Sequence, residues 1–179
     1  MDDIVQRHHD RAVPIEQYSR LPRLPVTLVL ENLRSSFNVG AIFRSCESAR
    51  VEKLITCGIT AHPPNEKVLK TSMGAWEFVP HEHVASAGEA IEKLKAQGLP
   101  LFALETTSKS VSLYRTKIPR PVALILGNEA LGLSRETLAA ADRIIEIPLL
   151  GYKNSLNVSV ALGIALFEIL RQWGELGKE

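Results

Sequence analysis

Six short apolar runs punctuate the chain: VTLVLE from Val26, KLITCG from Lys53, EFVP from Glu77, LPLFALE from Leu99, PVALILG from Pro121 and RIIEIP from Arg143. Several are continuous in Val, Ile and Leu rather than alternating, which is the pattern of strands covered on both faces. Between them the apolar residues recur at helical spacing, at Val39, Ile42, Phe43, Cys46 and Ala49, and again at Ala87, Ile91 and Leu94 before the stop signal Gly98. A short helix is predicted to start after Ser134 as N-cap, and a long one to run from about Ser155 to Trp173. Strand and helix alternating in this way predict an α/β fold, a mostly parallel sheet flanked by helices.

At 179 residues the chain has the length of one domain, and its 45% hydrophobic and 23% charged residues fit a globular protein that buries a core. No repeat, linker or low-complexity tract divides it. Residues 1–25, with Pro14, Pro22 and Pro25, read as an irregular or partly helical N-terminal extension, and 26–179 as a single domain. The opening MDDIVQRHHDRAV is mixed in charge with no apolar run behind it, unlike a signal or transit peptide. The longest apolar stretch, near 158–170, is broken by Glu168 and is too short for the ~20 residues a bilayer span needs. Cys46 and Cys57 form no CxxC pair and read as buried free thiols of a reducing compartment, the cytoplasm.

The last helix, VSVALGIALFEIL, is apolar nearly all round, so burial against its own core and against a partner subunit is expected. A charge at Leu166 or Ile169 is expected to yield monomer or aggregate, because a buried unpaired charge costs several kcal/mol, of order the whole stability margin. The net charge of +1 argues against nucleic-acid binding by bulk electrostatics, but Thr106–Arg120 carries Lys109, Arg115, Lys117 and Arg120 and no acid. It reads either as a solvated loop or as an RNA-binding patch.

The common catalytic signatures are absent: no GxSxG elbow, no Walker A loop, no HExxH, and no GxGxxG after the first strand. His81 and His83 form one HxH, but no cysteine or carboxylate pattern joins His8, His9 or His62 to it in a zinc site, so no metal is expected. Three stretches are richer in glycine and polar residues than ordinary connections. They are FNVGAIFRS around Asn38 and Arg44, LILGNEALGLS around Gly127 and Glu129, and IPLLGYKNSLNVSVALGIALFE around Ser155 and Asn157. The last two follow apolar strands, where a parallel sheet binds ligands and glycine lets backbone approach them. Arg44 lies off the stripe of Val39, Ile42, Phe43 and Cys46 and is free to face a site or solvent.

In order, these stretches resemble the three motifs of the SpoU (TrmH-like) branch of the SPOUT class of RNA methyltransferases, over residues 26–172, and KTSMGAWEFVP from Lys70 resembles the region between motifs. The resemblance implies methyl transfer from S-adenosylmethionine to a ribose 2′-hydroxyl of RNA by a homodimer, with tRNA preferred to rRNA. It also implies a C-terminal trefoil knot, which periodicity cannot show. By motif position it assigns Asn38, Arg44, Glu129, Ser155 and Asn157 to catalysis and Gly127, Ile147 and Leu156 to the cofactor, with Thr106, in the variable loop just past LFALE, as a fourth cofactor contact. The separate N-terminal RNA-binding domain of some relatives has no counterpart here, so RNA is expected on the catalytic domain, the extension and the partner subunit. Arg44 matches the family's proposed base. Because a guanidinium is not deprotonated in proteins, stabilisation of a developing alkoxide, with Asn38 and Glu129 orienting the side chain, is the chemically preferred role. Two other readings remain: an RNA-binding protein with this fold and no activity, and an ordinary nucleotide enzyme of doubly wound type.

Overall fold

The computed structural model describes residues 14–176. Most of the predicted extension, with His8, His9 and the opening segment, lies outside the described residues. Strand β1 (Leu24–Glu31) lies in the interior of the sheet, paired in parallel with β2 (Val51–Cys57) on one side and the central β6 (Val122–Leu126) on the other. With β3 (His81–Val84), β4 (Leu101–Leu104), β5 (Val111–Ser112) and β7 (Arg143–Glu146) the order is β3-β2-β1-β6-β4-β7-β5, and every strand pairing is parallel. The expected α/β architecture is therefore present.

Alternation along β1 divides the interior into two layers. Leu28 and Leu30 pack with α2 (Ser36–Ser48) and α6 (Val158–Gln172) on one face. Val29 joins the opposite cluster, formed with α4 (Ala87–Ala96) and α5 (Arg135–Ala140). Both faces are covered, which is why the strand sequences are continuously apolar. Two further helices, α1 (Ile15–Tyr18) and α3 (Glu66–Ser72), complete the set. Gly40 lies where α2 meets α3, and a Cβ there would run into Thr71 and the Ser72 backbone.

Three expectations need correction. EFVP is not a strand: Ala75–Glu77 form a 3-10 turn, and β3 starts at His81, after Pro80, whose carbonyl accepts from Leu54 N–H at 2.9 Å. Helix α6 begins at Val158 rather than Ser155, because the Asn157 side chain caps it by accepting from Ser159 N–H at 2.9 Å. Leu166 and Ile169 are both 0% exposed within the chain's own core, so of the two outcomes expected for a charge there the folded monomer drops out and the aggregate of an unfolded chain stands. The apolar surface of α6 is instead a stripe through Val160, Ile164 and Phe167.

Cys46 and Cys57 are buried and unpaired. Among the described residues no helix is long and apolar enough to cross a membrane. No group of three or more His, Cys, Asp or Glu among them could hold a metal ion.

Candidate active site

Strands β4, β6 and β7 end side by side, and beyond their carboxyl ends lies a cavity of about 510 Å³. That is within the range of small-ligand sites. Thr106, Gly127, Ile147 and Leu156, the four positions the sequence assigned to a cofactor, all line it, as do Glu129 and Ser155. Apolar walls come from Leu104, Leu126 and Leu149. The charged side chains that line the cavity are Glu105, Glu129 and Glu146, with no cation among them. A ligand with net positive charge is the one such a lining favours.

Backbone shape follows from side chains folded back on their own loop. Asn128 is buried, its carboxamide oxygen accepts from Ala130 N–H at 2.9 Å and Leu131 N–H at 3.0 Å, and its amide donates to Asn32 O at 2.7 Å. Its main chain also bridges to Gly132. From β4, Glu105 accepts from Leu133 N–H at 3.0 Å and Thr106 N–H at 3.0 Å. The loop 127–133 is thus held from inside and from the neighbouring strand.

A second set of bonds ties the three polar stretches together. The Glu129 carboxylate accepts from the N–H groups of Arg34 (2.9 Å) and Ser35 (3.2 Å) and from the Asn38 amide (2.9 Å). Asn38 Oδ1 accepts from the Asn157 amide at 3.0 Å. Burial pushes the Glu129 carboxyl upward, but these hydrogen bonds outweigh it and hold the group below the usual carboxylate range. The clasp is therefore fully formed above the ordinary carboxylate pKa and is lost only as pH falls through the lower folded value.

Arg44 stands apart. It is exposed on α2, and its side chain makes no hydrogen bond or ion pair among the described residues. The clasp joins Asn38, Glu129 and Asn157 to one another and leaves Arg44 out, contrary to the expectation that Asn38 and Glu129 orient it. Ser155 is exposed at the cavity wall. Of the basic residues, Arg115 and Lys117 border a separate pocket, Lys109 is exposed in the turn before β5, and Arg120 is bonded to Glu175 at 2.6 Å. Sequence reasoning missed Glu105, Asn128 and Glu146. The signal for Glu105 was an acid at the end of an apolar strand, the place where parallel sheets put ligand-binding groups.

Comparison with known proteins agrees with this geometry. Residues 25–167 match the SpoU rRNA Methylase family. The chain is 36% identical over 148 residues to the 23S rRNA (guanosine-2'-O-)-methyltransferase RlmB of Vibrio parahaemolyticus, covering 83% of this chain and 60% of that protein. It therefore spans less than two thirds of that relative's length. Among solved structures it is similar to the A. aeolicus TrmH/SpoU tRNA modifying enzyme, at TM-score 0.79 and 30% identity over 90% of this chain and 81% of that one. The AdoMet-bound rRNA methyltransferase from Sinorhizobium meliloti matches at TM-score 0.76 and 30% identity, over 82% of this chain and 56% of that one.

Proposed function

The chain belongs to the SpoU rRNA methylase family, and from that premise we propose that it methylates a ribose 2′-hydroxyl of RNA with S-adenosylmethionine. The observation that carries this reading is the cavity itself. All four cofactor positions of the motifs line it, it borders the Glu129–Asn38–Asn157 clasp, and its charged lining is wholly acidic. S-adenosylmethionine carries a sulfonium, so the donor set fits. When bound, it supplies an electrophilic methyl group.

The chain's own residues then have three tasks. Leu104, Leu126, Ile147 and Leu156 offer apolar contact to an adenine, and the backbone of the 127–133 loop offers it hydrogen bonds. The clasp fixes the start of α2 against the start of α6. Arg44, a cation engaged with no protein acid, would stabilise the charge developing on the ribose oxygen as its proton passes to solvent. Residues 26–179 act as one catalytic unit and 1–25 as an extension, in the reducing cytoplasm where buried thiols such as Cys46 persist. The C-terminal segment is threaded as a trefoil knot, as the resemblance to the SPOUT class implies. Among RNAs, tRNA is mildly preferred to rRNA, in keeping with the likeness to the A. aeolicus tRNA modifying enzyme.

The test is a thermal shift with S-adenosylmethionine and none with NAD, followed by mapping of 2′-O-methyl groups in tRNA and rRNA from cells lacking the protein. A shift with NAD alone, or an unchanged methylation map, overturns the reading.

The working form is a homodimer. Phe37 (60% exposed), Val160 (51%) and Phe167 (41%) leave apolar surface on α2 and α6, two helices in contact with each other. Phe167→Glu is expected to weaken dimerisation by at least about a hundredfold, the scale of a central aromatic contact. The variant should stay folded, because the side chain faces outward, with its melting temperature lowered only by the lost subunit linkage. Sedimentation equilibrium checks this, and a monomeric wild type removes the dimer.

A further inference from the structure

The free edge of the sheet carries a second pocket that the reaction does not use. It has a volume of about 540 Å³, and Phe102, Val111, Arg115, Lys117 and Arg143 contribute to its wall. No carboxylate lines it. The side chains of Arg115, Lys117 and Arg143 are exposed and, among the described residues, make no ion pair or hydrogen bond. Nearby acids are committed elsewhere: Asp142 accepts from Leu101 N–H at 2.7 Å, and Glu146 from the Ser110 hydroxyl at 2.5 Å.

This is a built platform rather than a solvated loop. Leu113, in the 3-10 turn Leu113–Arg115, is 0% exposed and anchors the segment in the core. Gln172 of α6 donates to Thr116 O at 3.1 Å and accepts from Ile118 N–H at 3.1 Å. The Trp173 indole N–H donates to Ile118 O at 3.2 Å, and the Thr116 hydroxyl to Ser112 O at 2.8 Å. Backbone fixed on both sides of Arg115 and Lys117 presents their charges without the ordering cost a mobile loop would incur.

We propose that this edge pocket is a second RNA subsite, in which Arg115, Lys117 and Arg143 hold phosphodiester groups of the strand whose ribose is methylated. The proposal rests on the RNA reading above. Its link to the cavity is the pair of strands β4 and β7. Phe102 and Arg143 border the pocket, while Leu104 and Glu146 border the cavity, two and three residues further along. At about 3.3 Å per residue that is roughly 7–10 Å, a gap a polymeric substrate bridges and a free nucleotide in the pocket does not. Three cations grouped without an acid also repel one another until a polyanion meets them.

The experiment compares the wild type with the triple variant Arg115→Gln, Lys117→Gln, Arg143→Gln and a control triple Lys53→Gln, Lys93→Gln, Lys95→Gln. Fluorescence anisotropy follows a labelled oligouridylate and unfractionated tRNA across a salt series. For three lost phosphate contacts the slope of log K against log salt should fall by about two, and affinity at low salt by at least tenfold. The control should leave the slope near the wild type's, and S-adenosylmethionine affinity and melting temperature should hold in both variants. An unchanged slope in the pocket variant, or an equal fall in the control, overturns the subsite. So does tight competition by pyrophosphate with no effect of the variant on RNA, which marks a small-anion site. A wild type that binds RNA but methylates none refutes the reaction and leaves the subsite standing, so the two failures are distinguishable.

Discussion

Arg44→Ala is expected to reduce single-turnover methylation by about a hundredfold or more, roughly 2.7 kcal/mol, while the affinity for S-adenosylmethionine hardly changes. The separation follows from where the side chain stands. Arg44 is not part of the cavity wall and bonds to no residue of the clasp, so its loss disturbs neither the loop 127–133 nor the Glu129 hydrogen bonds. It is exposed, and the buried residues around it on α2, Val39, Ile42, Phe43 and Cys46, keep the helix in place. Only a step in which charge grows on the RNA should register its absence. Arg44→Lys sharpens the test. Since no protein carboxylate grips the guanidinium fork, a point charge is expected to recover most of the lost rate. Calorimetric cofactor binding and single-turnover methylation of bulk tRNA give both numbers. Near-normal turnover in Arg44→Ala, or loss of cofactor binding, removes the assigned role.

The strands that were legible in the sequence are those buried on both sides. β1 and β6 are continuous apolar runs because α2 and α6 cover one face and α4 and α5 the other. Edge strands follow another rule. β3 reads His-Glu-His-Val, too polar for an apolar-run search, and the run EFVP just before it drew the assignment four residues early. β5 has only two residues and lies inside the basic stretch. α3 carried a legible signal in Asn65, whose side chain accepts from Lys67 and Val68 N–H, but its seven residues bury only Val68 and Ser72 and show little periodicity.

For the site, spacing alone identified strand ends with glycine and polar residues, and the family resemblance chose among them. What neither supplied is which groups touch. Asn38 meets Glu129 across 91 residues and Asn157 across 119, and such pairings depend on the order of strands in the sheet. Local pattern carries no information on that order. The same limit explains Arg143, an ordinary first residue of a strand until β5 and its turn are laid beside it.

Gly127→Ala is expected to abolish measurable cofactor binding, with an affinity loss of at least about a hundredfold, and to take methylation with it. The sequence suggested that this glycine leaves room for a ligand. The structure gives a reason internal to the protein: a Cβ on Gly127 would lie 2.5 Å from both the Gly132 carbonyl carbon and Leu133 N, and 2.7 Å from Gly132 O. Those are backbone atoms of the same loop, held by Asn128 and Glu105, so no rotamer change relieves the contact. The loop must open, and with it goes the wall between β4 and β6. Gly132 is a useful contrast. A Cβ there meets only the Glu105 carboxylate at 2.6 Å, the far end of a flexible side chain, although its φ of +68° adds strain for any other residue. Gly132→Ala is therefore expected to cost less cofactor affinity than Gly127→Ala, because the Glu105 side chain can shift where backbone cannot. Calorimetry with S-adenosylmethionine on the wild type and the two variants, with melting temperatures to show that the sheet is intact, decides the matter. Wild-type affinity in Gly127→Ala would mean that the 127–133 loop does not shape the cofactor cavity.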